Sequence, residues 1–139
     1  MRISVRFTAA VHTLLCIDYF EDSFKVTSDF IAGSTGVNAV IIRKILLQLQ
    51  KANLVTTAAG TGGSHLAKEP EDITLLDIDN AVKDKEDEIF NFHPSPNGKC
   101  PVGNNIHRVL DPCLNTAQGA LEAELGKTTL ADLLKKLPK

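Results

Sequence analysis

Residues 54–67, LVTTAAGTGGSHLA, place three glycines between two short runs of apolar and threonine residues. A phosphate-cradling loop needs a strand before it and a helix after it, so that amide N–H groups and the helix dipole converge on the anion. Here the glycines lead into SHLAKEP, a short extended run ended by Pro70, and no Lys-Ser/Thr pair follows them. The stretch therefore reads as a hairpin, with strands at 54–57 and 64–67. What precedes it constrains the fold further. Asn38 is a good cap for a helix running through Ala52, with Ile42, Ile45, Leu49 and Ala52 as its core stripe. Its opposite face carries Val40, Arg43, Lys44, Leu47 and Lys51, cationic with apolar residues mixed in. Upstream, Thr27 or Ser28 caps a shorter helix that ends in the Gly33/Gly36 region. A short helix, a tight turn, a longer helix with a basic outer face and then a hairpin form a winged helix-turn-helix pattern. The glycines let the wing tip turn sharply and bring backbone N–H groups near a phosphate or into a minor groove. A plain surface hairpin is the bland alternative.

The remaining chain supplies helices around this unit. A first helix over 4–19 places Phe7, Val11, Leu14 and Ile17 on one buried face, with Ala10 and Leu15 beside them. Thr74 caps a fourth helix with Leu76, Ile78, Ala81 and Val82 on its inner side. The mixed charges at 83–88 read as a solvated face, and residues 91–99 as a loop. A long helical region over 101–125 carries a stripe of Ile106, Val109, Leu110, Cys113, Ala117, Ala120 and Leu121. Pro112 is expected to bend or restart it, with Asp111 as the new cap. A stripe this long exceeds what one small core can use, so it reads as a dimer interface. A last amphipathic helix holds Leu130, Leu133, Leu134 and Leu137. The expected fold is mainly α with a small β-hairpin: a winged helix-turn-helix at 1–82, a loop at 83–100, and a dimerisation helix with a C-terminal helix at 101–139.

At 139 residues the chain suits one domain of ordinary size. No apolar run approaches the roughly 18 residues of a bilayer span, and the opening MRISVRFTAAVHTLLCIDYF lacks the cleavage site of a signal peptide. No membrane partner is expected. Cys16, Cys100 and Cys113 leave one thiol unpaired in any disulfide scheme, which favours a reducing, cytoplasmic setting. Residues 1–68 carry seven Lys/Arg against four Asp/Glu, and residues 69–139 eight against thirteen, so a +3 half joins a −5 half. The basic half is suited to a polyanion.

The segment LQKANLVTTAAGTGGSHLAKEPEDITLLDIDNAV resembles the one that defines the Rrf-two family of bacterial winged-helix transcription regulators. Matching positions are Asn53-Leu54-Val55, Gly60, Gly62, Gly63 and Leu66, then Ile73-Thr74-Leu75 and Asp77-Ile78. The opening MRIS and the KCPVG before the long helix are also similar, so the likeness spans essentially the whole chain and is greatest to the YwnA-like branch. The resemblance implies a homodimer on double-stranded DNA, a repressor whose third helix enters a major groove while the wing lies along a minor groove. Carried over by position, DNA contacts come from Ser28, Asn38, Ala39, Val40, Arg43 and Lys44, from the wing tip Thr61, Gly62, Gly63 and Ser64, and from Arg2 on the backbone. Side-chain chemistry agrees: Arg43 is suited to a bidentate pair with guanine, and Lys44 and Lys51 to sequence-blind phosphate contacts. Relatives carry an arginine near the start of the wing where this chain has Ala58 and Ala59, and cluster-binding relatives have Glu where Arg43 stands.

Such relatives hold an iron–sulfur cluster on three closely spaced cysteines. This chain has only Cys100 there, and the spacing of His93, Cys100, His107 and Cys113 is not a known ligand pattern, so neither cofactor nor metal is expected. Cys100 precedes Pro101, which suggests a helix N-terminus, with Lys99 adjacent; both would favour a thiolate. It reads either as a redox-responsive thiol or as a capping and packing cysteine, while Cys16 reads as structural. A small-molecule or redox effector is compatible with either reading of Cys100. No Cys–His or Cys-x-x-Cys arrangement supports an enzyme. The alternative function is a winged-helix protein-interaction module that docks onto an enzyme or another regulator.

Overall fold

A computed structural model describes residues 5–57, 63–84, 89–90 and 92–139. Helix α1 (Val5–Phe20) lies at the centre and buries Ala9, Ala10, Thr13, Leu14, Cys16 and Ile17. Ala10, Leu14 and Ile17 are buried as expected, while Phe7, Val11 and Leu15 sit only at the edge of the core. The reason is that α1 meets α2, α3, α4, α6 and the hairpin on several sides, so small residues face the closest neighbours and a single 3.6-residue stripe does not describe it. The buried Thr13 hydroxyl is satisfied by donating to the Ala9 carbonyl at 2.8 Å.

Helix α2 (Ser28–Thr35) starts at Thr27, whose hydroxyl accepts from the Phe30 N–H at 3.2 Å, and ends at Gly36 in the left-handed region with φ +73°. Helix α3 (Ala39–Lys51) starts at Asn38, whose side-chain oxygen accepts from the Val40 N–H at 2.7 Å. The chain bends by 114° between the two, within the range of a helix-turn-helix. Ile42, Ile45, Leu46 and Leu49 are buried. Asn53 then adopts φ +61°, and the Leu54 N–H bonds back to the Leu49 carbonyl at 3.0 Å, a left-handed helix ending that turns the chain straight into the hairpin.

Strands β1 (Val55–Thr57) and β2 (Ser64–Leu66) pair antiparallel, with Val55 opposite Leu66 and Thr57 opposite Ser64. A 3-10 turn (Pro70–Asp72) leads to helix α4 (Leu75–Val82), which starts with a reciprocal box between Thr74 and Asp77. Helix α6 (Leu130–Leu134) begins with the same device, Thr129 with Asp132. The Thr129 N–H and then its hydroxyl hold the Asp132 carboxyl below the usual carboxylate range. The two boxes sit side by side: Leu75 N–H donates to Thr128, Leu130 N–H to Ile73 at 2.8 Å, and Thr74 and Thr129 form an antiparallel bridge.

That junction changes the expected division of the chain. Leu130 is fully buried in the same core as Leu14, Ile42 and Ile78, so α6 belongs with the helix-turn-helix unit rather than with the long helix. Helix α5 (Ile106–Leu125) is the element that stands apart, with no buried residue along its length of about 30 Å. It begins later than expected, because residues 101–105 form turns closed by Asn104 N–H to Cys100 at 2.8 Å and Asn105 N–H to Val102 at 3.1 Å. It also runs unbroken through Pro112. The carbonyl that loses a donor there belongs to Arg108, on an exposed turn where water can replace the bond. Asp111 is not a cap; it pairs with His107 one turn back, Nδ1 to Oδ1 3.2 Å.

Candidate nucleic-acid interface

The burial of α3 divides it cleanly. Its inner stripe is closed, while Arg43, Lys44 and Lys51 are exposed, and Val40 and Leu47 are 52% and 59% exposed. Ile41, at 46%, joins this outer face and was not singled out by helical spacing alone. Ala39 and Ser28, the first residues of α3 and α2, are half-buried. Asn38 is exposed, but its side-chain oxygen is already committed to capping α3, leaving the amide group as the free donor.

Arg43 is not free either. Its guanidinium lies 3.8 Å from the carboxylate of Asp29 on α2, and both side chains are largely exposed. A contact this loose and wet is worth little, about 0–1 kcal/mol, so it presets the arginine without holding it back from a competing base edge. Asp29 was missed because nothing local links the first turn of α2 to the second turn of α3; only the 114° bend brings them together.

The wing is anchored at its base. Ser64 is buried, and its N–H donates to the Val26 carbonyl at 2.9 Å. Gly63 has φ +78°, and a Cβ there would stand 2.9 Å from the Val26 nitrogen. Ser64 and Gly63 are therefore supports rather than tip contacts, since the Ser64 amide is already used and neither residue has an open face. Val26, in the α1–α2 connection, carried no sequence signal for this role. Further along β2, His65 pairs with Glu21 in the turn after α1, Nδ1 to Oε2 3.3 Å. Arg2, Thr61 and Gly62, expected to touch DNA, and Ala58 and Ala59 lie outside the described residues.

On α5, Val109 is 56% and Leu110 38% exposed; Cys113, Ala117 and Ala120 are exposed, and Ile106 and Leu121 half-buried. The seven stripe residues are thus brought to one helix, and none of them is buried by its own chain.

Cys100 does not sit at a helix N-terminus, because α5 starts at Ile106. Its thiol is still pushed below the ordinary thiol range, by hydrogen bonds from the Gly103 N–H and then the Val102 N–H of the turn it opens. Cys16 is buried and Cys113 exposed. The rings of His93 and His107 lie 5.4 Å apart, but among the described residues no three His, Cys, Asp or Glu side chains gather as a metal-binding group. The cysteines of one protomer therefore do not fit an iron–sulfur cluster. Among those residues, no single helix is long and apolar enough to cross a membrane.

Comparison with known proteins agrees with this architecture. Residues 3–136 match the Rrf2 (Rrf-two) family, described as an iron-dependent transcriptional regulator. The chain is 39% identical over 135 residues to the HTH-type transcriptional regulator YwnA of Bacillus subtilis (strain 168), covering 97% of this chain and 98% of that one. A transcriptional regulator from Lactobacillus plantarum superposes with a TM-score of 0.78 at 31% identity, covering 94% of this chain and 88% of its own. The crystal structure of a DNA-binding protein gives a TM-score of 0.73 at 33% identity, covering 93% and 98%. These relatives are regulators, not enzymes. With the family match over residues 3–136 and a relative 39% identical over 97% of its length, the chain belongs to the Rrf2 family of transcriptional regulators.

Proposed function

We propose that this chain is a homodimeric, sequence-specific DNA-binding repressor that acts in the cytoplasm and uses no metal or cofactor. The observation that carries the reading is the outer face of α3, where Arg43, Lys44 and Lys51 stand exposed beside Val40 and Leu47 over a fully closed inner stripe. Arg43 reads a guanine edge, Lys44 and Lys51 bind phosphates, and Val40 and Leu47 meet thymine methyl groups. The apolar stripe of α5 pairs with that of a second copy, so that two α3 helices address one operator. Repression follows from occupying the operator. The Cys100 thiol, held toward thiolate by two N–H groups, is the redox-responsive element.

Selection of bound fragments from random duplex DNA, with reduced and peroxide-treated protein, tests this. The expected result is a two-fold symmetric site whose affinity falls steeply with salt and changes on Cys100 oxidation. Negligible binding at 0.1 M salt contradicts it and favours the docking-module reading; a symmetric site with no dependence on Arg43 contradicts the guanine-reading role given to that residue.

A further inference from the structure

A pocket of 420 Å3 lies between α1, the end of α2 and the C-terminal segment. Its volume is in the range of small-molecule sites, and well short of what a helix needs. Val11, Leu15, Phe20 and Leu137 supply apolar walls, and none of its lining residues is Asp, Glu, Lys or Arg. Tyr19 closes one side by donating to the Pro138 carbonyl at 2.5 Å, and the buried Cys16 also lines it. At another point His12 Nε2 and Ser34 Oγ stand 2.8 Å apart. This exposes one basic group, with a hydroxyl beside it, at the wall of an otherwise apolar space.

We propose that this pocket is an effector site for a small, mainly apolar carboxylic acid. The acid binds as its carboxylate, which accepts hydrogen bonds from the His12 imidazole N–H and the Ser34 hydroxyl; the ionised acceptor makes both bonds charge-assisted. The apolar body lies against Val11, Leu15, Phe20 and Leu137. Ser34 is the penultimate residue of α2, five positions before α3 begins, so drawing it away from His12 loosens the α1–α2 contact that sets the angle of α3. A bound acid lowers DNA affinity by that route. The regulatory half rests on the DNA-binding function proposed above; the binding half does not.

Calorimetric titration of the full-length dimer with octanoate and benzoate, against 1-octanol and benzyl alcohol, tests it. One acid per protomer is expected, at least tenfold tighter than the matched alcohol. His12→Ala removes that preference, and Val11→Trp, which fills the pocket, abolishes binding of acid and alcohol alike. Equal binding of acid and alcohol, no saturable binding, or full affinity in His12→Ala overturns the site. So does binding that appears only after the protomers are separated, which would mean that a second copy fills the pocket. Octanoate is expected to weaken DNA binding at least tenfold; unchanged DNA affinity with bound octanoate overturns the regulatory half. A protein that binds octanoate but no DNA supports the site and refutes the proposed function instead.

Discussion

The helix-turn-helix head and helix α5 solve opposite problems. Among the described residues, seventeen from five helices, the start of the hairpin and the connecting segments form one closed cluster in the head, and α2, α3, α4 and α6 are each capped by a side chain at their start. Helix α5 has twenty residues and buries none of them. An isolated helix of that length is marginal in water, and its apolar side is an open cost unless something covers it. The head buries its core within one chain; in the homodimer proposed above, α5 is covered by association. On that proposal one part holds a shape and the other presents two such shapes together.

The comparison breaks first at α5. Val109→Asp with Leu110→Asp is expected to raise the dimer dissociation constant about a thousandfold, some 4 kcal/mol, while circular dichroism still reports a cooperative melt of the head. A melt lost together with the dimer would show that the head is not self-sufficient. Next comes Leu130→Ala, which removes the fully buried side chain that ties α6 to the head. It should cost about 3 kcal/mol in a denaturant melt, whereas the exposed Leu110→Ala should cost the monomer's head almost nothing. Equal losses would erase the distinction between the two regions.

Gly63→Ala sharpens it at a single backbone position. The left-handed φ and the 2.9 Å approach to Val26 together predict a loss of about 2 kcal/mol. Gly36→Ala, with the same φ but nothing within 4 Å, should lose about 1 kcal/mol. If both cost the same, the wing is not anchored on Val26. The smallest effect is electrostatic. Burial, and then Glu21, Glu71, Asp22 and Glu69, push the Asp18 carboxyl above its usual range. Ionised Asp18 therefore opposes folding at neutral pH, and the penalty is relieved as pH falls through its raised folded-state value. Asp18→Asn should stabilise by a few tenths of a kcal/mol at pH 7, with the gain vanishing below about pH 4; a destabilised variant at pH 7 would contradict this assignment.

What could be read before folding was what is local. Asn38 and Thr74 cap their helices as expected because the capping bond spans two or three residues. The hairpin followed from glycines with no helix behind them, and the outer face of α3 from a clean two-sided pattern. Long-range contacts were hidden. Val26 under Gly63, Asp29 beside Arg43 and Leu130 in the core each depend on segments far apart in sequence or turned by a sharp bend. Part of the buried face of α1 misled because a central helix has more than one inner side. Pro112 misled because an exposed turn tolerates a missing hydrogen bond.

Hydroxyl-radical footprinting of a selected duplex bound by the intact protein puts the central idea at most direct risk. Two α3 helices carried by one α5-paired dimer predict two protected patches related by two-fold symmetry, centred one helical turn, about 10 base pairs, or a multiple of it apart. Protection should be lost from both patches at once in the Val109→Asp, Leu110→Asp variant. A single patch, or an unchanged footprint in that variant, would mean that each head reads DNA alone and that α5 serves some other end.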